Sequence, residues 1–285
     1  MDRDRVLKEL LNSGNTIIMP DAYDGISAKI IEYAGFPAVQ CSGYSFSIAK
    51  GYMSEEDIDL KRNLKITKEI VDAVNIPVIA DAEDGYGDGE YFSNVIEEFI
   101  GVGVSGINIE DLNHQMLGDT LKIYNESVML EKIDTVKKIK KELSKNDFIL
   151  NARTDALKAY DNREKAIKVA IERANKYIKA GADICFVAYV KTLDEIKLLA
   201  KEIDGPISIA AGLPYNIQEF SINDCIDLGI SRVSLPTFMI LNSIEYMSKK
   251  LIHVKKTGSF LETVNDNTLL SNLNTLDDII GIKKY

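Results

Sequence analysis

Pro77-Val78-Ile79-Ala80-Asp81-Ala82-Glu83-Asp84-Gly85-Tyr86-Gly87 runs from four apolar residues straight into three carboxylates and two glycines. The apolar run reads as a short buried strand, and the acids and glycines as the loop that leaves its C-terminal end. Charges gathered there cannot be buried unpaired, so they meet water, a cation or a metal. An oxygen-rich cluster of this kind suits Mg²⁺, which takes one or two carboxylates and keeps several waters. Read alone, the stretch fits a solvated turn equally well. Its place in a repeating pattern decides between the two.

Outward from this stretch, short β-branched runs alternate with longer amphipathic ones. Strands are predicted at Thr16–Met19, Ala38–Cys41, Val78–Asp81, Gly106–Glu110, Phe148–Asn151, Ile184–Val187, Ile207–Ala210 and Arg232–Leu235. Helical periodicity marks Ile26–Ala34, Glu55–Val74, Ser127–Leu143, Arg163–Ala180 and Leu193–Glu202. Gly35, Gly181 and Gly229 stand between a helical run and the next strand, where a helix-ending glycine belongs. Eight strand–helix repeats with near-continuous apolar strands predict an α/β fold, a (β/α)₈ TIM barrel. The barrel is expected over residues 1–257. A C-terminal helical extension over 258–285 carries apolar positions such as Leu269, Leu273 and Ile280, suited to packing on the barrel or on a neighbouring subunit.

The chain has 285 residues, 46% hydrophobic and 27% charged, an ordinary globular balance. A formal net charge of −10 and the lack of a dense Lys/Arg run argue against nucleic acid as a partner. The start Met1-Asp2-Arg3-Asp4-Arg5 has no apolar leader, and no run is long enough to span a membrane, so a cytoplasmic protein is expected. Cys41, Cys185 and Cys225 are three, widely spaced and without a C-x-x-C pair, and read as reduced thiols near the core.

In such a barrel the chemistry sits on the loops leaving the strand C-termini. Those ends carry Asp21, Ser42-Gly43-Tyr44, Asp81 with Glu83 and Asp84, Glu110-Asp111, and Arg153-Thr154-Asp155. Asp81, Glu83 and Glu110 can hold one hydrated Mg²⁺. Arg153 offers a planar fork for a carboxylate, a phosphonate or an enolate oxygen, or else forms a structural ion pair with Asp155 or Glu172. Ser42, Gly43 and Tyr44 supply N–H groups and a hydroxyl, and Gly43 admits close approach of a ligand. A metal and an arginine facing a small anion are what enolate chemistry needs. His114 can serve as acid or base, or be a solvated loop histidine. Tyr160, Tyr189 and Tyr215 follow strand ends and can line the same pocket.

These motifs resemble those of a known family. Asp81–Gly87, Gly106–Asp111 and Asn151–Ala156, with Ser42-Gly43 after the second strand, are similar in order and spacing to the strand-end motifs of the isocitrate lyase/phosphoenolpyruvate mutase superfamily. The resemblance covers about residues 10–250. It implies a Mg²⁺ enzyme (Mn²⁺ in its place a second option) acting on pyruvate-like or oxalate-like enolates. Asp81 would ligate the ion directly, with Glu83 and Glu110 acting through water. Arg153 would stabilise the enolate, and Ser42, Gly43 and Tyr44 would hold the carboxylate of a small-molecule 2-oxo acid. It also implies a homo-oligomer, dimer or tetramer, with an exchanged C-terminal helix.

The departures concern bond choice. The lyases' Lys-Lys/Arg-Cys-Gly-His loop is replaced by Asp111–Thr120, with Met116 and Gly118 near the lysine and cysteine positions. The Lys–Asn–Ser version found in the mutases is absent too. Ser54 stands where many members carry aspartate, and Ala188 where the lyases carry a glutamate. The leading reading is a lyase that cleaves a C–C bond of a small 2-hydroxy or 2-oxo acid through a metal-bound enolate, with Arg153, Glu110 and His114 as catalytic groups. Its rivals are phosphonopyruvate mutase or hydrolase chemistry, oxaloacetate hydrolysis or decarboxylation, and a non-catalytic metabolite-binding barrel motivated by Ser54, Gly118 and Ala188.

Overall fold

The computed structural model describes residues 2–113, 123–261 and 273–281. Eight parallel strands close into a barrel in chain order: β1 (Ile17–Ala22), β2 (Val39–Cys41), β3 (Val78–Asp81), β4 (Gly106–Glu110), β5 (Ile149–Thr154), β6 (Ile184–Val187), β7 (Ile207–Ala210) and β8 (Arg232–Leu235). The seam is the β8–β1 pair, which runs from Ile17 against Arg232 to Pro20 against Leu235. Around it lie α1 (Arg3–Asn12), α2 (Gly25–Tyr33), α3 (Gly43–Ala49), α4 (Leu60–Ala73), α5 (Gly89–Val102), α6 (Glu126–Glu142), α7 (Ala156–Ala159), α8 (Arg163–Ala180), α9 (Leu193–Glu202), α10 (Ile222–Asp227), α11 (Phe238–Thr257) and α12 (Asn274–Ile280). The last of these lies against α2.

Local chemistry sets the helix limits. Asn162 caps α8 by accepting from the Lys165 N–H at 2.9 Å, and Gly181 ends it in the left-handed region at φ 115°. The single helix predicted over Glu55–Val74 is in fact two elements. Ser54 caps a 3₁₀ turn at Glu55–Asp57, and Asp59 starts α4 by accepting from the Arg62 N–H at 2.8 Å. Two capping side chains five residues apart restart the chain where periodicity alone runs through.

The apolar mass forms two shells. Strand residues facing outward pack under the helices, with Ile70, Phe99, Val136 and Leu199 among the fully buried side chains. Inside the barrel, Ile17, Met19, Ile79, Ile149 and Ile184 form the bottom layer, closed by Leu7 from α1. Burying such a side chain contributes about 1.5–3 kcal/mol. Above this plug the interior turns polar. Asn151 donates to Asn108 Oδ1 at 2.7 Å, and the buried Arg232 donates to Ser208 Oγ at 2.8 Å and meets Met19 Sδ at 3.1 Å. The closed bottom and polar middle leave one open end, at the strand C-termini. Among the described residues no helix is long and apolar enough to cross a membrane.

Candidate active site

A strand's side chains alternate between its two faces, so Asn108 and Glu110 of β4 share the barrel interior with Asn151 and Arg153 of β5. The register sets Glu110 beside Arg153 and Arg153 beside Phe186. Arg153 Nη1 lies 2.6 Å from Glu110 Oε2, Nη2 donates to Asp155 Oδ1 at 2.7 Å, and Cζ stands 5.5 Å from the centre of the Phe186 ring. Burial works against the guanidinium's charge, yet Asp155 and then Glu110 hold its pKa well above the ordinary value. Its buried Nε–H has no hydrogen-bond partner among the described residues.

Asp81 ends β3 in a buried position, where its Oδ2 accepts from the Gly43 N–H at 3.4 Å and its carbonyl accepts from Asn63 Nδ2 at 2.8 Å. Burial pushes its carboxyl upward, and Arg153 opposes the shift. Glu83 sits in the left-handed region at φ 50°, which costs a non-glycine residue about 1–3 kcal/mol. Its carbonyl is tied down by the Glu110 N–H at 2.8 Å. Burial pushes the Glu83 carboxyl well up, and the charges of Asp81 and Glu110 push it further. A Cβ at position 43 would fall 1.9 Å from Glu83 Oε1, so only glycine lets that carboxylate lie across the start of α3.

The charges of Asp81 and Glu110 push the Glu83 carboxyl up while Arg153 pulls both Asp81 and Glu83 down, and acids placed in this way form a donor set suited to a divalent cation. Among the described residues no three His, Cys, Asp or Glu side chains gather closely enough to ligate one ion directly.

These groups adjoin a cavity of about 380 Å³ at the barrel mouth. Ser42, Tyr44, Asp81 and Arg153 line it, together with Tyr189 and Tyr215. Tyr160 does not; it packs beneath Lys165 Nζ at 4.7 Å. Glu83 faces an adjoining acidic cleft with Glu55, Glu56, Asp59 and Asp84. Glu110 stands beside Arg153 outside the cavity lining, and His114, Met116 and Gly118 lie outside the described residues. Ser54 caps its turn, and Ala188 is part of the cavity wall.

Two rim acids turn out to be structural. Asp111 accepts from Arg173 Nη1 and Tyr177 OH, each at 2.8 Å, and from the Asp155 N–H at 2.8 Å. Asp84 accepts from Tyr124 OH at 2.9 Å and from the Tyr86 N–H at 3.0 Å. Of the arginine's two suggested ion-pair partners, Asp155 is used, whereas Glu172 is exposed on α8. Cys41 is fully buried, and burial pushes its thiol far up, as befits a packed thiol.

Sequence reading passed over Gln40, Asn108, Glu55 and Lys158, all of which line the cavity. Gln40 and Asn108 did carry a signal: each is a polar residue at an inward position of an otherwise apolar strand. It also missed Arg232, fully buried at the start of β8, whose pKa burial lowers to about 10 against the pull of Asp21 and Asp81. A lone charge opening a strand ordinarily marks a solvated edge.

A closed parallel barrel with acids and one clamped arginine at its C-terminal mouth is an enzyme scaffold of the small-anion-binding kind. The family model for phosphoenolpyruvate phosphomutase matches residues 7–255, and the chain belongs to the isocitrate lyase/phosphoenolpyruvate mutase superfamily. It is 31% identical over 205 residues to 2,3-dimethylmalate lyase of Eubacterium barkeri, covering 70% of this chain and 68% of that one. A 2-methylisocitrate lyase of Halalkalibacterium halodurans is 27% identical over 206 residues, which span 70% of this chain and 64%, under two thirds, of the relative. Among solved structures, oxaloacetate acetylhydrolase in complex with the product oxalate superposes with TM-score 0.84 at 21% identity, covering 99% of this chain and 94% of that one. The structure of 2,3-dimethylmalate lyase gives TM-score 0.84 at 20% identity, covering 99% and 92%. At such identities these superpositions speak to the fold alone. The superfamily is one of carbon–carbon lyases and phosphomutases, and the chain is an enzyme of that type.

Proposed function

We propose that the chain is a Mg²⁺-dependent lyase that cleaves a C–C bond of a small 2-hydroxy or 2-oxo acid by way of an enolate. The observation that carries this reading is Arg153, a permanently charged fork clamped between Glu110 and Asp155 and lining the same cavity as Ser42 and Asp81. Asp81 would hold the ion, with Glu83 and Glu110 acting through bound water. When bound, Mg²⁺ or Mn²⁺ supplies Lewis-acid polarisation of a substrate oxygen.

The chain's own groups do the remaining work. Arg153 is already fixed in place, so it stabilises charge developing on an oxygen without reorganising at the moment of reaction. Ser42, Gly43 and Tyr44 orient the substrate carboxylate at the start of α3. For a 2-hydroxy acid, a base removes the hydroxyl proton and the C2–O bond becomes a carbonyl. The C2–C3 bond breaks, its electron pair passes to C3 and the adjoining carboxylate as an enolate, and a proton is returned to C3. We assign His114 to that proton traffic.

Purified protein with Mg²⁺ should turn over at least one member of a panel of 2-hydroxy and 2-oxo acids, and Arg153→Ala and Asp81→Ala should abolish the turnover. Undiminished rates in either variant would overturn the site. Cleavage of a C–P bond on the same platform is the second reading, favoured by the phosphomutase family model. Loss of the phosphonate signal of phosphonopyruvate in phosphorus NMR would select it.

A further inference from the structure

Tyr189 stands just past the end of β6 with its backbone in the left-handed region at φ 63°, a conformation that a bulky residue rarely adopts. Such outliers persist only where the surroundings hold them. Arg163 supplies the hold: its Nη2 donates to the Tyr189 carbonyl at 2.8 Å and its Nη1 to the Leu157 carbonyl at 2.7 Å. Glu195 fixes that guanidinium in turn, accepting from Nε at 2.6 Å and from Nη2 at 2.7 Å. One clamped arginine therefore ties the loop after β6 to α7, and so sets Tyr189 beside Lys158.

Both side chains line the cavity at the barrel mouth, as Arg153 does. Lys158 Nζ lies 3.4 Å from the Tyr189 hydroxyl and 4.7 Å from the centre of its ring. Of the phenols that line the cavity among the described residues, Tyr44, Tyr189 and Tyr215, Tyr189 is the one joined to an ammonium. Lys158 is exposed and exchanges protons with water, whereas Tyr189 is half-buried. Burial pushes the Tyr189 hydroxyl upward, against the pull of Arg153, so the phenol keeps its proton. A protonated phenol in the cavity wall, with an ammonium against its oxygen, is an acid with its own proton supply.

We propose that Tyr189 is the catalytic acid that returns a proton to the carbon freed by C–C cleavage, and that Lys158 restores the proton to Tyr189. The phenol O–H bond breaks as the new C–H bond forms from the enolate's electron pair. The phenolate then takes a proton from the Lys158 ammonium, and the exposed amine regains one from water. Protons and charge balance over the cycle, and no oxidant or reductant enters. The assignment rests on the lyase reading above for its enolate. It leaves His114 the other proton, the one taken from the hydroxyl. Arg163 is a positioning residue, acting through the Tyr189 and Leu157 carbonyls.

The test compares the full-length wild-type chain, Tyr189→Phe and Lys158→Ala, each with Mg²⁺. Steady-state kinetics use malate, 3-methylmalate and oxaloacetate, and calorimetry measures the binding of oxalate, which needs no proton transfer. Tyr189→Phe should lower kcat by about 10²–10⁴-fold, with KM and oxalate affinity unchanged. Lys158→Ala should lower kcat as well, and added ethylammonium should restore part of it, a rescue that a packing role would not show. Wild-type kcat in Tyr189→Phe, or a raised KM with kcat intact, overturns the proposal while the lyase reading stands. Loss of oxalate affinity in Tyr189→Phe would make the tyrosine an anchoring or folding residue and likewise overturn its role as acid. Ethylammonium without effect overturns the part given to Lys158. If the wild type turns over none of the three acids, the lyase reading falls and the acid falls with it.

Discussion

Arg153 Nη1 lies 2.6 Å from Glu110 Oε2 across the β4–β5 pair, while Nη2 of the same guanidinium reaches Asp155 at 2.7 Å. Held from both sides, the fork keeps its charge and its plane. A lysine at this position keeps the charge but loses the two-pronged hold. Arg153→Lys is expected to lower kcat by about 10²–10³-fold with the melting temperature little changed. Steady-state kinetics beside thermal unfolding would check this, and wild-type kcat would contradict it.

Burial raises the Asp81 carboxyl and raises the Glu83 carboxyl further. The folded chain therefore binds protons that the unfolded chain has already released, and stability from these groups falls as pH rises from the ordinary carboxylate range through the raised values. A divalent ion binds the ionised forms and offsets the loss. Melting temperatures at pH 5 and pH 8 should show Mg²⁺ stabilising the protein more at the higher pH. The double variant Asp81→Asn, Glu83→Gln should lose that pH-dependent gain.

Asp111 is fully buried, with Arg173 and Tyr177 at 2.8 Å each. Removing the arginine leaves an uncompensated buried charge, which typically costs about 3–5 kcal/mol. Urea unfolding of Arg173→Ala should show a loss of this size. A loss below about 1 kcal/mol would mean that Asp111 is not held by this pair.

On α11, Ile244, Met247, Leu251 and Ile252 are each more than a third exposed, an unusual load of apolar side chains for one helix. We propose that α11 meets another copy of the chain in a dimer or tetramer. Light scattering should give a multiple of the 31.7 kDa chain mass, and Leu251→Asp should lower it. A monomer at micromolar concentration would contradict the proposal.

All eight strands were legible because parallel strands buried on both faces must be apolar, and the glycine punctuation placed the helix ends. The errors fell where function intrudes. The apolar run predicts β5 to end at Asn151, but the strand continues to Thr154, since Arg153 is a strand residue whose polarity serves the cavity. β1, predicted over Thr16–Met19, continues through Pro20 to Ala22. Pro20 lacks an N–H, but β2 pairs only from Asp21 onward, so that donor is not required there. The acids of the rim were equally visible in sequence. Their division into cavity groups such as Asp81 and structural ones such as Asp111 was not, because it depends on partners from distant segments: Arg173 is 62 residues from Asp111.

A crystal structure of the protein soaked with Mg²⁺ and oxalate, a stand-in for the enolate, tests the central claim most directly. The ion should sit on the Asp81 carboxylate, with oxalate bridging it to the Arg153 guanidinium and the Ser42–Tyr44 segment. An ion bound away from Asp81, or oxalate bound elsewhere while Arg153 keeps only Glu110 and Asp155, would contradict it.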